Sequence, residues 1–320
     1  MAIVLWILNS KMKRNRRILI IKTGFSEFLD RGVSTTVSLG DVLFCTVILH
    51  LYKDDDVTWI VSNQARDLLV DNPYIDKLLV FDSFVFEKVL NKKYDIFINL
   101  EKDIGICAFL KNVQAKKKYG FYFNEKKYDI ATYKDATRLL LSGQENHKNV
   151  NNNTAEILFK VVGKKWDGQG LLLSPKKRKK QIYDVGLNYA VGTKWPTKAW
   201  PMRYWKALEK SLKKDFSISW QKGHKNIHSY IQWIDSCKTI ITSDSLGQMI
   251  GQALKKNVIT LFGSTNHNRM DRLPHICVLP SKLKCRYRPC YLLTCKNKKF
   301  CMEAILPEDV ETVVRRIMRK

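Results

Sequence analysis

Short apolar runs alternate with amphipathic segments along the chain. Residues 17–22 are almost continuously apolar, which is typical of a strand buried in a parallel sheet. Residues 39–49 follow a helical pattern that begins at Gly40-Asp41. The remaining runs predict strands over 57–61, 77–81, 94–99, 185–189, 217–220, 239–242 and 258–262, and helices over 154–162, 202–212, 229–236, 246–255 and from 307 onwards. Strands that alternate with helices predict an α/β fold built on doubly wound parallel sheets.

The 320 residues suit two domains of roughly 150 residues each rather than one small core. The composition changes near residue 165, where Gly168, Gly170 and Pro175 precede a basic run at 176–180. That run resembles a nuclear-localisation pattern, but we interpret it as part of a solvated linker. We therefore predict an N-terminal extension at 1–16, a Rossmann-like domain at 17–165, a linker at 166–182 and a second Rossmann-like domain at 183–320. Two such domains face each other across a cleft, where ligands of α/β sheets bind.

The charge balance is strongly basic. Lysine and arginine number 56 against 30 aspartates and glutamates, for a formal net charge of +26. A field of this sign concentrates anionic partners such as nucleotide diphosphates, acidic lipid headgroups or phosphorylated glycans. Part of the excess is scattered lysine, and runs such as 116–118 fit a solvated surface. We interpret the rest as a surface for a membrane-held, phosphate-rich acceptor. A basic nucleic-acid binder stays open as a third class of function, but we do not expect a nucleic-acid partner, because zinc-finger, RNP-type and basic-heptad patterns are all missing from the sequence.

No stretch of the sequence approaches the ~18–20 apolar residues that a membrane-spanning helix needs. The apolar start, residues 1–8, is short, and its basic residues follow it rather than precede it, unlike those of a secretory signal. This start is either a membrane-touching extension or a stretch ahead of a true beginning at Met12. Eight cysteines without a signal peptide favour a reducing cytoplasm. We expect a soluble cytoplasmic protein, with peripheral contact to the anionic inner-membrane surface.

Gly40 and Asp41 stand where a loop becomes a helix. One interpretation is that Asp41 caps the helix, a role worth about 1 kcal/mol. The other is that Gly40 lets the backbone approach a ligand while Asp41 projects into the cleft as a carboxylate base. The segment by itself favours the cap.

Two segments of the second half suit phosphate binding. Residues 243–249 lie between a predicted strand and helix, where free N–H groups near Ser245 and Gly247 can hold a diphosphate. Asp244 either caps this turn or receives sugar or ribose hydroxyls. Residues 193–201 follow another predicted strand, and lysines in this Pro-stiffened loop can pair with phosphates. The alternative is that its tryptophans pack and its lysines are surface residues.

Three segments in this order resemble glycosyltransferase family 9, the ADP-heptose:lipopolysaccharide heptosyltransferases. They are Ser38-Leu39-Gly40-Asp41-Val42-Leu43, the Trp-Pro-Thr-Lys-Ala-Trp-Pro stretch at 195–201, and 242–254 leading into Leu261-Phe262-Gly263-Ser264-Thr265. The resemblance covers nearly all of the chain from residue 17. It implies a GT-B architecture, with the acceptor bound mainly by the first domain and the donor by the second. It also implies an inverting, metal-independent transfer.

The resemblance further implies roles for single residues. Asp41 matches the base that removes the proton from the acceptor hydroxyl. Lys198 matches the lysine that contacts the donor phosphates, and Asp244 matches the acid that holds the donor-sugar hydroxyls. The other donor-binding residues that we expect are Thr193, Lys194, Ser245, Leu246 and Gly247.

Three features depart from the family pattern. Residues 25–37 separate the first strand from Gly40-Asp41 and suit an acceptor-side loop. Met249 stands where the family has a histidine, and the segment 217–229 lacks the usual Gly-rich loop.

We expect transfer of heptose, or a related sugar, from ADP-heptose or a similar donor to a lipopolysaccharide-type acceptor. A protein acceptor, as in autotransporter heptosyltransferases, is the alternative within the class. A catalytically lapsed protein that binds sugar nucleotides or glycans is the alternative of another class, and Met249 favours it.

Four of the eight cysteines lie within 17 residues: Cys285, Cys290, Cys295 and Cys301. Four thiolates this close suit a tetrahedral zinc or iron site, although the spacing is looser than that of a zinc ribbon. Some family 9 relatives, including protein-modifying autotransporter heptosyltransferases, carry a comparable Cys-rich segment with bound metal. A structural metal and four reduced thiols are both open interpretations, and no cofactor is expected for catalysis. The other four fall in apolar runs, which predicts core positions for Cys45, Cys107, Cys237 and Cys277.

Overall fold

The computed structural model describes residues 16–25, 37–82, 84–145, 153–173, 180–192, 195–223, 226–270 and 273–319. Within them, two sheets follow one another along the chain, one in each half. Most of the segment 25–37 and all but the last residue of the basic run 176–180 lie outside the described residues. The prediction of an α/β fold with two parallel sheets is confirmed.

The first sheet has six strands in the order β3-β2-β1-β4-β5-β6. They are β1 (Arg17–Ile21), β2 (Asp56–Val61), β3 (Lys77–Val80), β4 (Lys93–Asn99), β5 (Gln114–Asn124) and β6 (Asp129–Thr132). Neighbours are parallel except β5 and β6, which pair antiparallel. β1 lies between β2 and β4, and residues 18–21 are fully buried. Both faces of this central strand are covered, which explains its continuous apolar run.

The second sheet has five parallel strands in the order β11-β10-β9-β7-β8. They are β7 (Tyr183–Asn188), β8 (Ile218–Trp220), β9 (Cys237–Ser243), β10 (Asn257–Phe262) and β11 (Ile276–Pro280). The carboxyl ends of parallel strands meet at one edge of a sheet, so the loops after β7, β9 and β10 lie together. Such an edge is where α/β proteins bind their ligands.

Helices pack against both sheets. Those of the first half are α1 (Leu39–Cys45), α2 (Val85–Leu90), α3 (Ile104–Phe109), α4 (Asp135–Glu145) and α5 (Thr154–Val161). Those of the second half are α6 (Met202–Leu212), α7 (Ile227–Ser236), α8 (Leu246–Ala253) and α9 (Pro307–Met318). Among the described residues, none of the helices is long and apolar enough to cross a membrane.

One apolar cluster joins the two halves. It contains buried side chains of β1 and α1, such as Ile20 and Leu43, together with Ile240 of β9 and Ile250 of α8. Burial of apolar surface is the dominant favourable contribution to folding, at roughly 25 cal/mol per Å². The shared cluster therefore holds α1 of the first half against α8 of the second.

The predicted strands and helices are confirmed to within a few residues, with two kinds of difference. The helix predicted over 39–49 ends at Cys45, and the chain continues as the 3₁₀ helix Thr46–Leu51. Thr46 Oγ1 donates to the carbonyl of Leu43 at 2.6 Å, and β-branched residues follow, which weakens the α-helix here. The strands β5, β6 and β11 were not predicted. In β5 the three lysines at 116–118 hid the strand pattern, although the strand pairs with β4 from Gln114 to Gly120.

Candidate functional site

Asp41 lies in the first turn of α1, shortly after β1. The N-cap of α1 is Ser38, which makes Asp41 the third residue of the helix. The interpretation of Asp41 as the helix cap is therefore wrong. Its side chain is partly exposed, and within the described residues no hydrogen bond or ion pair engages its carboxylate. A carboxylate without such partners can accept a proton from a bound substrate.

A buried ion pair supports the loop that leads from β1 towards Asp41. Lys22 and Glu101 follow β1 and β4, with 3.7 Å between Nζ and Oε1, and their side chains are 5% and 0% exposed. Glu101 Oε1 also accepts from the backbone N–H groups of Thr23 and Gly24, at 2.6 and 2.9 Å. Burial lowers the pKa of Lys22, but the attraction of Glu101, together with that of Asp41 and other neighbours, outweighs it and holds this pKa above its usual value. The start of the loop is thereby fixed to β4.

We expect Lys22→Met to lower the free energy of unfolding by about 3–5 kcal/mol, because Glu101 would keep a buried charge without its counter-ion. Adding Glu101→Gln should restore part of the loss, since the amide oxygen can still accept from the Thr23 and Gly24 N–H groups. Urea denaturation followed by circular dichroism measures both variants. A Lys22→Met protein as stable as the wild type would mean that this pair does not exist as described.

In the second half, a lysine and an aspartate from different loops form an ion pair. Lys198 ends the 3₁₀ helix Pro196–Lys198, Asp244 follows β9, and the distance from Nζ to Oδ2 is 3.0 Å. The side chains are 17% and 20% exposed, so Lys198 is not a simple surface lysine. The N-cap of α8 is Ser245, so Asp244 does not cap that helix. The pair presents a cation suited to phosphate oxygens and a carboxylate suited to hydroxyl groups.

The first turn of α8 rests on a buried polar network. Asn188, at the end of β7, donates to Thr242 Oγ1 at 2.8 Å and to Ser245 Oγ at 3.3 Å. It accepts from the hydroxyl of Tyr230 at 2.7 Å, and burial raises the pKa of Tyr230 well above its usual range, which keeps this donor protonated. Gly247 lies directly over Asn188 and Tyr230. Because the first N–H groups of an α-helix have no intrahelical acceptor, this supported turn can bind an anion.

Gly247→Ala is expected to lower the free energy of unfolding by about 1–3 kcal/mol and to weaken anion binding at this turn. The added methyl group would overlap the amide of Asn188 and the hydroxyl of Tyr230, which their network holds in place. Gly192→Ala is the matched control, since nothing lies within 4 Å of a Cβ added there. Thermal denaturation with and without ADP measures both effects. Equal behaviour of the two alanine variants would contradict the close packing under α8.

The stretch at 195–201 is anchored to the loops after β10. Thr197 Oγ1 donates to the Leu292 carbonyl at 2.6 Å and lies 3.2 Å from Ser264 Oγ. Trp200 is buried, and its indole N–H donates to the Ile305 carbonyl at 2.9 Å. The prediction that tryptophans here are packing residues therefore holds for Trp200. These contacts fix the 3₁₀ turn that presents Lys198.

The two halves touch where α1 begins. A Cβ placed on Gly40 would lie 2.9 Å from Sδ of Met249, in the first turn of α8. Gly40 therefore makes room for a side chain of the opposite half, whereas we expected it to let a ligand approach the backbone. This contact brings the first turn of α1, which carries Asp41, next to the first turn of α8, which follows Asp244.

The structure brings the predicted site residues together in two groups. Lys198, Asp244, Ser245, Leu246 and Gly247 form one group around the start of α8, and Asp41 lies on the adjoining helix α1. Thr193 and Lys194, which we also expect to bind the donor, lie outside the described residues.

The four clustered cysteines differ in how exposed they are to solvent. Cys301 is buried and its Sγ lies against Gly263, whereas Cys295 is exposed. Burial raises the pKa of the Cys301 thiol to about 11. Among the described side chains, no group of three or more histidine, cysteine, aspartate or glutamate residues is arranged to hold a metal ion. The donor atoms suit zinc or iron, but in this arrangement the thiols do not form a ligand set. Of the cysteines predicted as core, three are buried and Cys277 is half-buried.

Sequence reasoning missed Glu101, Asn188, Tyr230 and the contact of Gly40 with Met249. A signal existed for two of them, because Glu101 and Asn188 are polar residues at the carboxyl ends of predicted strands. Tyr230 is 42 residues from its partner Asn188 and lies on a helix with several aromatic residues, so no local pattern singles it out.

No protein-family model matches the sequence, and no curated protein matches it. Solved structures do match. A glycosyl transferase family 9 protein from Veillonella parvula superposes with a TM-score of 0.69 over 95% of this chain and 97% of its own, at 16% identity. The fold is that of glycosyltransferase family 9. The GT-B architecture with two Rossmann-like domains is thereby confirmed.

Two further structures share this family 9 fold. ADP-heptose lps heptosyltransferase II from E. coli matches with a TM-score of 0.64 over 95% of this chain and 98% of its own, at 13% identity. The iron-containing, dodecameric glycosyltransferase TibC from enterotoxigenic E. coli matches with a TM-score of 0.56 over 96% of this chain and 77% of its own, at 13% identity. A second structure of TibC holds ADP-D-β-D-heptose.

Proposed function

We propose that this protein is an inverting glycosyltransferase that moves heptose, or a related sugar, from a nucleotide-sugar donor to a lipopolysaccharide core-type acceptor. ADP-heptose is the favoured donor. One observation carries the proposal. The partly exposed carboxylate of Asp41, which makes no hydrogen bond or ion pair among the described residues, lies on a helix whose first turn packs against that of α8. Beside α8 stands the Lys198–Asp244 pair, which is suited to phosphates and hydroxyls. The family 9 fold supports the same reaction class.

In the proposed reaction Asp41 takes the proton of the acceptor hydroxyl as its oxygen attacks the anomeric carbon of the donor sugar. The new C–O bond forms on the face opposite the departing nucleoside diphosphate, so the anomeric configuration inverts. Lys198 and the N–H groups at the start of α8 stabilise the negative charge of the leaving diphosphate. Asp244 holds hydroxyl groups of the donor, which orients the sugar for attack.

Three observations support the donor and the acceptor. The E. coli protein of the same fold is named for ADP-heptose and lps, and TibC was solved with ADP-D-β-D-heptose. The net charge of +26 suits an acidic acceptor held at a membrane. We place the protein at the cytoplasmic face of the inner membrane, in peripheral contact with anionic lipid, and we do not propose a nucleic-acid partner.

Met249 favours a second candidate, a protein that binds sugar nucleotides without transferring the sugar. Its thioether packs against Gly40 at the contact between the halves, where the family 9 resemblance implies a polar histidine. Such a protein would bind ADP-heptose but would not release ADP in the presence of an acceptor.

A structural zinc or iron at the four clustered thiols is a second part of the proposal, and four reduced thiols are its alternative. TibC is described as iron-containing, which supports it, whereas the thiols of this chain would have to move together to form a ligand set. Metal analysis of protein purified without chelators tests the point. One zinc or iron per chain that is lost in Cys290→Ser would support the ligand set, and its absence would identify four reduced thiols. A metal-bearing protein would also favour a protein acceptor as the alternative substrate.

Thermal denaturation in the presence of ADP-, UDP- and GDP-sugars tests the proposed donor site. We expect ADP and ADP-heptose to raise the melting temperature, since a ligand that binds only the folded state stabilises it by RT ln(1 + [L]/Kd). Asp244→Ala should remove most of the shift. Stabilisation by none of these nucleotide sugars would overturn the proposal.

A further inference from the structure

Three bulky side chains of the first half are exposed on neighbouring elements. Phe84 is the N-cap of α2, Phe109 ends α3, and Tyr128 lies in the turn between β5 and β6. These residues are 68%, 60% and 79% exposed. Single exposed apolar residues are common on soluble proteins, but a connected group of large ones is typical of an interaction surface. We call the surface that carries these three side chains the aromatic face.

Direct contacts connect the elements of the aromatic face. The ring of Phe109 stacks on that of Phe86 in α2, with 4.8 Å between their centroids and 9° between their planes. Two residues after Phe109, Lys111 forms an ion pair with Glu125 in the β5–β6 turn. Tyr128 lies in the same turn, at its other end. The three exposed side chains therefore belong to one surface.

A sharp bend at Gly120 directs the β5–β6 hairpin onto α3. Gly120 has a φ of 90°, in the left-handed region, and a Cβ there would lie 1.8 Å from the carbonyl oxygen of Asn99. The amide Nδ2 of Asn99 donates to the carbonyl of Phe121 at 3.0 Å, which fixes the bend. The hairpin consequently contacts α3, and the ion pair with Lys111 holds its turn beside the end of that helix.

Tyr128 has an unfavourable backbone conformation for its residue type. Its φ of 48° lies in the left-handed region, which glycine and asparagine adopt far more readily than tyrosine. Among the described residues its ring contacts that of Phe123, edge to face at 5.4 Å, but most of the residue remains exposed. Little burial offsets the strain, and a strained backbone of this kind is typical of a functional position.

The turn that carries this tyrosine has a net positive charge. Lys126 and Lys127 directly precede it, are exposed and form no ion pair among the described residues. Of the two acids in this stretch, Glu125 is paired with Lys111, which leaves Asp129 against the two lysines. Aromatic rings flanked by lysines suit an anionic bilayer, because the rings enter the boundary between headgroups and acyl chains while the ammonium groups attract lipid phosphates.

We propose that the aromatic face docks on an anionic lipid bilayer, with Phe84, Phe109 and Tyr128 entering the headgroup boundary. The three side chains project from a helix cap, a helix end and a hairpin turn. Such projections suit insertion into a lipid interface better than they suit the close shape complementarity of a protein interface. The inference deepens the proposed function and rests on it for the membrane-held acceptor.

Ring contacts also connect the aromatic face to the loop after β1. The ring of Phe86 lies 5.5 Å from that of Phe81, which follows β3, and Phe81 lies 6.0 Å from Phe25, which follows β1. Phe25 belongs to the loop that leads from β1 towards Asp41. Docking through the aromatic face therefore places the bilayer beside the domain that carries the proposed base.

Flotation of the full-length protein with vesicles of phosphatidylglycerol and phosphatidylethanolamine tests the aromatic face. We expect Phe84→Ser/Tyr128→Asn to bind these vesicles about tenfold or more weakly than the wild type, because two aromatic side chains no longer leave water. Asparagine tolerates the left-handed φ at 128, so the variant should melt like the wild type. Ile182→Ser/Leu306→Ser removes two exposed apolar side chains of the second half and is the matched control, with binding like that of the wild type.

The lysines of the turn provide a second test. Lys126→Gln/Lys127→Gln should weaken binding to the anionic vesicles about tenfold and leave binding to phosphatidylcholine vesicles unchanged, because the ammonium groups interact with anionic headgroups. Equal binding of this variant and the wild type would contradict the role of charge. A wild type that binds no vesicles, or Phe84→Ser/Tyr128→Asn with wild-type affinity, would overturn the proposal. A dimer that this aromatic variant loses, without vesicle binding, would assign the face to a second copy of the chain instead.

Two forms of acceptor separate this proposal from the proposed transferase. With a lipid-free core oligosaccharide, Phe84→Ser/Tyr128→Asn should release ADP from ADP-heptose at the wild-type rate. With the acceptor anchored in vesicles, its rate should fall about tenfold, along with vesicle binding. Vesicle binding without ADP release from either acceptor form would refute the transferase and keep the aromatic face. Equal rates of the wild type and the variant with both forms would do the reverse.

Discussion

Asp41→Asn is expected to lower kcat by about 10²–10⁴-fold while leaving the affinity for the nucleotide-sugar donor nearly unchanged. The amide keeps the size of the side chain but cannot take a proton from the acceptor hydroxyl. Asp41 is neither the N-cap of α1 nor engaged by a hydrogen bond among the described residues, so the substitution should not destabilise the helix. Initial rates of ADP release from ADP-heptose with a lipopolysaccharide-core acceptor measure kcat, and calorimetry measures donor binding.

The matched control for this prediction is Asp67→Asn. Asp67 lies in the neighbouring 3₁₀ helix Asn63–Leu68, and its side chain is half exposed in a surface pair with Arg66. Loss of a surface pair of this kind has little effect, so the rate should stay within about twofold of the wild type. If Asp41→Asn retained the rate of Asp67→Asn, another group would have to be the base.

Lys198→Ala is expected to weaken ADP binding about 10–100-fold and to lower kcat as well. The ammonium is the described cation closest to Asp244, at 3.0 Å, and in the proposed site it donates to the donor diphosphate. A hydrogen bond to a charged group contributes about 1.5–3 kcal/mol, which corresponds to this range of affinity. The effect on kcat follows because negative charge on the leaving diphosphate grows in the transition state. Calorimetry with ADP and steady-state kinetics measure the two effects.

Two further variants test whether the Lys198–Asp244 pair is responsible for the loss of ADP binding. Lys206→Ala removes an exposed lysine on α6, near Lys198 in the chain, and should bind ADP like the wild type. In the double variant Lys198→Ala/Asp244→Ala, the loss of ADP-binding free energy should be smaller than the sum of the losses in the two single variants, because the side chains act as a pair. Strictly additive losses, or a Lys198→Ala protein with wild-type affinity, would contradict the role of the pair.

Much of the fold followed from local patterns. Continuous apolar runs identified β1 and β10, because both faces of these strands are covered and few polar residues interrupt them. Helix α6 was predicted at the residues where it lies, since its apolar positions recur at helical spacing. β5 escaped prediction because it carries consecutive lysines, one of which pairs with Asp95 on β4 at 2.7 Å. That contact depends on strand pairing, which no local pattern contains.

The candidate site was predicted in its parts but not in its arrangement. Asp41, Lys198 and Asp244 were identified from the segments that carry them. Their environment could not be predicted from sequence, because it depends on contacts between residues far apart in the chain. Asp41 illustrates the difference: its segment favoured a helix cap, and the structure places the cap at Ser38 instead.

Release of ADP from ADP-heptose, measured with and without a lipopolysaccharide-core acceptor, decides whether this protein is a glycosyltransferase. We expect release that requires the acceptor, a glycosylated product of inverted anomeric configuration, and loss of both in Asp41→Asn. ADP-heptose that binds at the Lys198–Asp244 pair but is never turned over with any acceptor would contradict this expectation, and would identify the protein as a binder of sugar nucleotides.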